Sequence, residues 1–527
     1  MSSEFSKGIF RVGSNYLRLV LTVSLGIMIV PLILDGASDV GFGLWGLLGA
    51  TAGLGNMFKE VVQTSMNREL GDAYHSGDDH KFRQVFNSAL VVAGCATLFG
   101  ILIYATIYIV VPLLNIDEGW LEAARMIIIY QTIASCVSIA LAPLFNLYII
   151  SERMITYNLL LVLDRSSYFW AAVVWVMLYP SDDPQQTLVR FAGTGAAISV
   201  AVVVTAAWVM LMLDKRTRPS PSLVDRAEVK AIISTSGWNG VISVALNMHI
   251  RLSQLLINVW FGLAANAVFA ASVRLSSYIR MVTTGMTDGL DIVAARLTAQ
   301  NQRDSIGALL PQITKLHGLV AIPACTVVFI YAPPLLSVWI GRHFTADQLE
   351  ICVMTVRVLA IGMAARGISD GWLRVLYGAG YVQRYAPLIL VGGLINPILS
   401  FALYTALPNR GAEESILASY HAPAITFSLI FIVVHFIGIQ FMVRKYLGVA
   451  PKVLCFVLWR PVVFTAFLGA CAYGMRQSFE IERFLDLVLH MAAIAAIAIP
   501  LIILIGLDSS EQAMLRKAVG RVTKKSR

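Results

Sequence analysis

Apolar stretches of about 20 residues recur from one end of the chain to the other, separated by short polar segments. A helix of that length crosses the hydrocarbon core of a bilayer, whereas a membrane-spanning strand needs only about 9–11 residues. The pattern therefore predicts an all-α polytopic membrane protein. About fourteen transmembrane helices are predicted, near residues 16–34, 41–64, 85–112, 124–150, 157–178, 190–213, 238–261, 266–286, 314–340, 351–376, 386–407, 421–443, 454–475 and 485–507.

Composition agrees with this class of protein. Of 527 residues, 57% are hydrophobic and only 13% are charged, against about 25% charged residues in soluble domains. The predicted loops leave no room for a folded domain that carries catalytic groups, so we do not expect an enzyme. The six cysteines form no CxxC motif and no Cys/His cluster, which indicates neither a metal site nor a disulfide framework.

The basic residues are distributed unevenly between the two sides of the membrane. Loops that share a side with the N-terminus hold most of the lysines and arginines outside the spans, including those of the C-terminal segment VGRVTKKSR. The positive-inside rule then places both termini in the cytoplasm, as an even number of spans requires. Membrane topology also explains the isoelectric point near 9.2, so we do not expect a nucleic-acid partner.

Two parts of the chain resemble each other at a fixed distance. Gly13 and Asn15 open the first span, and Gly237 and Asn239 open the seventh, 224 residues later. We therefore predict two parallel six-helix lobes, with the substrate between them, followed by two additional helices. The predicted boundaries are residues 1–213 for the N-terminal lobe, 214–235 for a cytoplasmic linker, 236–443 for the C-terminal lobe, and 444–527 for the last helices and basic tail.

Several charged residues fall inside predicted spans, where an ionisable group costs about 2.5–3.5 kcal/mol on insertion scales. Arg366, Asp370 and Arg374 are spaced four residues apart, which is typical of a ladder that neutralises itself along one helix. Asp164 and Arg165 are adjacent, so each is expected to have its own partner on another helix. We interpret these groups as structural.

Polar residues follow helical spacing along the first, second, seventh and eighth spans. The stripe on the seventh span contains Arg251 and extends from Ser243 to Asn258 in steps of three and four. Such stripes either seal the two lobes together or line a water-accessible cavity. We favour a positively charged cavity, because arginine matches phosphate geometry and a positive wall suits an anionic substrate. The candidate substrate-binding residues are Arg18, Lys59, Asn247, Arg251, Gln254 and Arg274.

Acidic residues occur near the predicted inner ends of two of these spans. Glu60 lies on the second span, and the stripe of the eighth is expected to continue from Thr284 to Asp288 and Asp291. We predict that Glu60, Asp288 and Asp291 form a gate or coupling site at the cytoplasmic mouth and pair with basic residues when it closes. For Arg251, the structural alternative is a pair with Glu60, Asp164, Asp288 or Asp370.

Two segments resemble a known family. They are RELGDAYHSGDDHKFRQVFNSAL at 68–90 and the run from SGWNG to FAASVRL at 236–275. With the fourteen predicted spans, they are similar to the Wzx-type polysaccharide flippases of the multidrug/oligosaccharidyl-lipid/polysaccharide (MOP) exporter superfamily. The resemblance implies two six-helix lobes around a central cavity, alternating access, and a polyprenyl-diphosphate-linked oligosaccharide as cargo. It also implies a cationic lumen, for which Arg18, Lys59, Arg251 and Arg274 are the matching positions, and we expect Arg251 to contact the diphosphate.

The resemblance carries further expectations and leaves alternatives open. It implies a bacterial inner-membrane protein of cell-surface polysaccharide biosynthesis, in contact with membrane lipids and working with a polysaccharide polymerase and chain-length proteins. No cofactor is predicted, and coupling to a proton or a sodium gradient stays open. The alternative is a cation-coupled multidrug antiporter of the same superfamily. The first span lacks an acidic residue in its middle, since Asp35 lies at its outer end, and this disfavours the antiporter.

Overall fold

The computed structural model describes residues 2–284, 286–287, 290–407, 419–509 and 511–513; the side chains of residues 2–16, 52, 54–65, 68, 235, 236, 239, 282, 284, 292 and 303 are outside the described set. The described chain is all-α, as predicted. The α-helices are α1 Ser2–His75, α2 Asp79–Val110, α3 Leu121–Ala140, α4 Ala142–Ile150, α5 Met154–Ala172, α6 Pro184–Leu213, α7 Arg226–Thr284, α8 Leu290–Ala299, α9 Arg303–Ile340, α10 Ala346–Gly378, α11 Val382–Ala406, α12 Ala422–Ile430, α13 Ile439–Leu447, α14 Pro451–Phe456, α15 Trp459–Ser478 and α16 Phe484–Leu501.

The helix α1 contains 74 residues, and one residue inside it breaks the helical geometry. Ser38 has φ 64° and ψ 176°, and its Oγ lies 3.5 Å from the Gly41 N–H, the place of an N-cap for the second half. A helix of that length measures about 110 Å, far more than a bilayer of about 30 Å. The residues around the break, Gly36 and Gly41, pack on the adjoining ends of other membrane helices, so the chain reverses its direction at Ser38.

A similar break occurs in α7, a helix of 59 residues in which Gly262 has φ 81° and ψ −174°. Contacts with α1 show the reversal. Along the second half of α1, Gly46 and then Gly53 face Gln254 and then Arg251, so α7 is antiparallel to α1 before Gly262. After Gly262, α7 is parallel to it, since Gly43 and then Gly46 face Leu263 and then Ala270. Ser38 and Gly262 are 224 residues apart, the offset of the predicted repeat, whose lobes stay a prediction.

Twelve helical stretches of the described chain are long and apolar enough to cross a membrane. Two of them, Leu17–Thr51 and Gly240–Met281, contain the breaks at Ser38 and Gly262. Each of these two therefore corresponds to two predicted spans, which accounts for the fourteen predicted from the sequence. The chain is thus a polytopic α-helical membrane protein.

Internal packing divides the chain into two compact units. Unit 1 comprises Met1–Ala271 and Gly393–Phe401, and unit 2 comprises Ser272–Gly392 and Ala402–Arg527. The core of unit 1 includes Phe82 and Phe86 of α2 and Tyr148 of α4, with the end of α6 packed against them. In unit 2, a core built around Tyr331 of α9 joins that helix to α15 and α16.

Candidate substrate-binding site

In unit 1, arginines from two helices approach the same tyrosine. Arg18 of α1 and Arg165 of α5 both lie within electrostatic range of the Tyr157 hydroxyl. The Arg18 side chain is half-buried and that of Arg165 is exposed. A phosphate accepts charge-assisted hydrogen bonds from guanidinium groups. Arg18 and Arg165 are therefore two candidate cations for an anion site in unit 1.

The depth and direction of Arg165 distinguish it from a residue at a span end. It lies near the middle of the apolar stretch Met154–Leu178, about 17 Å along the helix from Met154. The exposed apolar side chains Ile155, Leu159 and Leu163 mark the lipid-facing side of α5. At 100° per residue, Arg165 is about 80° to 160° away from them around the helix. Its exposed side chain therefore faces water-accessible space and not lipid.

The carboxylate next to Arg165 does not neutralise it. Asp164 lies on the same helix and accepts a hydrogen bond from the Ser199 hydroxyl of α6 at 2.5 Å. Arg165 makes no hydrogen bond or ion pair with any described residue. The expectation of a partner elsewhere is met for Asp164, by a hydroxyl and not by a cation. Arg165 is left as an exposed positive charge in the middle of a span.

Arg251, the predicted principal contact, lies against the second half of α1. Its Nη1 donates to the Gly49 carbonyl oxygen at 2.7 Å. A Cβ atom built on Gly53 would lie 2.3 Å from the guanidinium carbon, so the arginine packs directly on the glycine backbone. It is also within electrostatic range of Tyr104, whose hydroxyl bonds to that of Ser135. In this conformation Arg251 therefore holds two helices together, and its role toward a substrate stays a prediction.

The other polar residues of the seventh span also make contacts between or along helices. Asn247 donates to the Ser243 carbonyl of its own helix, and Gln254 is buried beside Gly46. Asn266, beyond the reversal, donates to the Gly43 carbonyl at 2.9 Å. Glycines on α1 thus allow close approach of α7, and amides bond to the backbone that the glycines expose.

The structure shows few contacts of the remaining candidate residues. Arg274 lies in unit 2, and its Nε is 3.4 Å from the hydroxyl of Tyr278 on the same helix. The side chains of Lys59 and Glu60 and the whole of Asp288 lie outside the described residues. The predicted stripe does not continue along one helix, because α7 ends at Thr284 and Asp291 lies on a separate helix, α8, that begins at Leu290. The gate role of Asp288 and Asp291 stays a prediction.

The predicted ladder on α10 is also wrong. The partner of Asp370 is Arg280 of α7, at 4.0 Å, and neither Arg366 nor Arg374 is within salt-bridge distance of it. Arg366 is 1% exposed, and none of its three guanidinium nitrogens has a hydrogen-bond partner among the described residues. Its guanidinium lies 4.7 Å from the centre of the Phe431 ring. Spacing along α10 could not reveal that Arg280, on a neighbouring helix, is the ion-pair partner of Asp370.

Two arginines of unit 2 have a structural role that the prolines of α9 explain. Pro333 and Pro334 lack an N–H, so the carbonyl groups four residues earlier lose their helical partners. Arg357 Nε donates to one of these, the Phe329 oxygen, at 3.2 Å. Arg476 Nη1 donates to the other, the Ile330 oxygen, at 2.8 Å. These arginines stabilise a proline-interrupted helix and are not candidates for the anion site.

Solved structures with a similar fold cover most of the chain. "Lipid II flippase MurJ, inward closed conformation" matches 94% of this chain and 98% of its own length, with 10% identity and a TM-score of 0.67. The chain has the fold shared by MurJ and the MATE transporters. An inward-facing multidrug resistance MATE family transporter of the MOP superfamily matches 82% of this chain and 98% of its own, with 12% identity and a TM-score of 0.60.

A MATE transporter of Vibrio cholerae matches 84% of this chain and 99% of its own, with 12% identity and a TM-score of 0.58. No protein-family model and no curated protein matches the chain. At these identities the likeness establishes the MOP-type fold. It does not distinguish a flippase from a drug exporter. An argument for one or the other must therefore rest on the charged residues of this chain.

Proposed function

We propose that the protein is a transporter that moves a polyprenyl-diphosphate-linked oligosaccharide across the bacterial inner membrane by alternating access. The observation that carries this proposal is Arg165, an exposed arginine in the middle of a span, turned away from the lipid-facing side. Arg18 is also within electrostatic range of the Tyr157 hydroxyl and is the second candidate cation for the anion. A diphosphate provides the charge and the acceptor geometry for such a pair.

The proposal extends to the rest of the predicted machinery. Arg251 would join the site when α1 and α7 separate and release it from the Gly49 carbonyl. Lys59 and Arg274 remain candidates along the same route, and Glu60, Asp288 and Asp291 remain candidates for the gate. The protein would act without a cofactor, drawing on a proton or a sodium gradient, alongside a polysaccharide polymerase and chain-length proteins.

A genetic experiment tests this function. Deletion of the gene should abolish surface polysaccharide while lipid-linked repeat units accumulate on the cytoplasmic side. A plasmid copy with Arg165→Gln should fail to restore export at normal protein abundance. A matched copy with Arg190→Gln, which removes a charge stacked on Trp175 in the same unit, should restore it. Unchanged surface polysaccharide in the deletion strain would refute the proposal.

A cation-coupled multidrug antiporter is the second candidate. The observation in its favour is Asp164, a carboxylate in the same span that accepts a hydrogen bond from a hydroxyl and is not paired with a cation among the described residues. Such a group suits a cationic drug or a coupling ion. For this function, the deletion strain would become sensitive to lipophilic cations and keep its surface polysaccharide, and Asp164→Asn would reproduce the sensitivity.

A further inference from the structure

At one end of unit 1, the ends of three helices surround a small cavity of about 260 Å³. The helices are α1, α4 and α6, and the cavity lies where each of them meets a loop. It is lined by Tyr74, Leu147, Ser151, Arg153, Met210, Leu213, Asp214 and Arg216. Apolar and charged side chains thus share one cavity at the predicted boundary of the membrane, far from Arg165 along α5.

A hydrogen-bonded turn holds Arg153 at the cavity. After α4, the Arg153 N–H donates to the Tyr148 carbonyl at 2.8 Å and the Glu152 N–H donates to the Ile149 carbonyl at 3.1 Å. Glu152 has φ 60°, the left-handed conformation that closes this type of helix end. This conformation is strained for glutamate and would not be for glycine. The turn nevertheless adopts it and fixes the position of Arg153.

The two arginines of the cavity differ in their compensation. Arg216 donates from Nε and Nη2 to the carboxylate of Asp214 and from Nη1 to Asp79, and it lies 4.8 Å from the centre of the Tyr74 ring. Arg153 is exposed and makes no side-chain hydrogen bond or ion pair with any described residue. Asp214 lies within electrostatic range of Arg153 as well, so the lining, with two arginines and one carboxylate, has a net charge of +1. Leu147 and Met210 form the apolar floor of the cavity.

We propose that this cavity binds the phosphodiester headgroup of an anionic phospholipid, with Arg153 as its cation. A single negative charge matches the net charge of +1 on the lining, and Arg153 is the arginine of the lining without an ion pair to a described residue. Its volume of about 260 Å³ lies just below the roughly 300–1,000 Å³ of ordinary ligand pockets, which suits a headgroup better than an oligosaccharide. Leu213, 50% exposed on the last turn of α6, continues the apolar floor toward the lipid-facing surface, where the glycerol and acyl chains would lie.

Purified full-length protein in a neutral detergent, titrated with phosphatidylglycerol or phosphatidylcholine, tests this site by native mass spectrometry. Phosphatidylglycerol should bind the wild-type protein preferentially. Arg153→Ala should lower that affinity about fivefold, the effect of one basic residue at an anionic membrane surface. Arg218→Ala is the matched control, because Arg218 is an exposed arginine of the neighbouring loop that does not line the cavity. It should leave the affinity unchanged.

Three results would overturn the proposal. Equal losses in the Arg153 and Arg218 variants would show general attraction to a basic surface. Displacement of phosphatidylglycerol by millimolar inorganic phosphate would show a site for free phosphate and not for a lipid. Equal affinity of the wild type for the two lipids would show that the site does not discriminate between headgroups by their charge. Arg153→Lys should keep most of the preference, which separates loss of charge from loss of folding.

Discussion

Replacement of Arg366 by methionine should stabilise the protein, although it removes a charged residue from the interior of α10. The guanidinium is 1% exposed and has no hydrogen-bond partner among the described residues. Arg280, on a neighbouring helix, already pairs with the carboxylate of Asp370. The partly buried carboxylate of Asp370 thus has a cationic partner without Arg366. Methionine keeps a long flexible side chain that fills the same space.

The magnitude follows from the balance of two terms. Removing an arginine from water costs several kcal/mol even after relaxation of its surroundings. The contact with Phe431 at 4.7 Å returns about 2 kcal/mol for a desolvated cation. The difference predicts that Arg366→Met raises the free energy of unfolding by about 1–4 kcal/mol, the range found when buried charges are replaced by well-packed apolar residues.

Unfolding of the purified protein in mixed micelles of increasing SDS content measures this change. Arg357→Met is the matched control, since Arg357 is also an arginine inside a span of unit 2 but donates to the Phe329 carbonyl. The control should lose about 1 kcal/mol, the net value of one hydrogen bond. A loss of about 3–5 kcal/mol in Arg366→Met would contradict the reasoning, because it would mean that a buried ion pair had been broken.

Three further predictions address the backbone and the loops. Arg476→Ala should lower the free energy of unfolding by about 1 kcal/mol in the wild type. In a Pro334→Ala background it should lower it by nothing, because the new N–H of residue 334 bonds to the Ile330 carbonyl in place of Arg476. Equal losses in the two backgrounds would contradict this. Ser38→Gly should raise stability by about 1 kcal/mol, because glycine adopts φ 64° without strain, and a loss would show that the Ser38 cap outweighs the strain. Hydrogen bonds from Arg216 hold the pKa of Asp214 below its usual value of about 3.9. The stability that the carboxylate adds is therefore fully present above about pH 3.9 and is lost as the pH falls through the lower pKa of the folded state. The difference in melting temperature between wild type and Asp214→Asn should therefore shrink on acidification below about pH 4, and a difference independent of pH would contradict the assignment.

Membrane helices could be located from the sequence because each one needs a long apolar stretch of its own. What the sequence did not reveal is how adjacent spans connect. The segments around residues 35–40 and 262–265 were expected to be loops, yet helix continues on both sides of single residues, Ser38 and Gly262. A positive φ angle at one residue leaves little trace in composition. Glycine at 262 fits such a conformation, but serine at 38 does not indicate it.

Interactions between helices were harder to predict than the helices themselves. Spacing along one helix assigned Asp370 to Arg366, whereas the nearest cation comes from another helix. Arg165 was set aside because an acidic neighbour in the sequence, Asp164, was expected to belong to a structural network. In the structure, the exposed side chains of Ile155, Leu159 and Leu163 show the lipid-facing side of α5, and Arg165 is turned about 80° to 160° away from them. The sequence alone does not show which side of α5 faces lipid, because Leu160, Leu161 and Val162 are apolar as well.

Transport by purified protein in liposomes tests the central proposal most directly. The measurement is the rate at which a fluorescent polyprenyl-diphosphate sugar becomes accessible to a membrane-impermeant quencher. Wild-type protein and Arg190→Gln should move the lipid at similar rates, and Arg165→Gln should lower the rate at least about tenfold, the equivalent of one charge-assisted hydrogen bond. Equal rates for the Arg165 variant and the wild type would contradict the proposal that Arg165 binds the anionic headgroup.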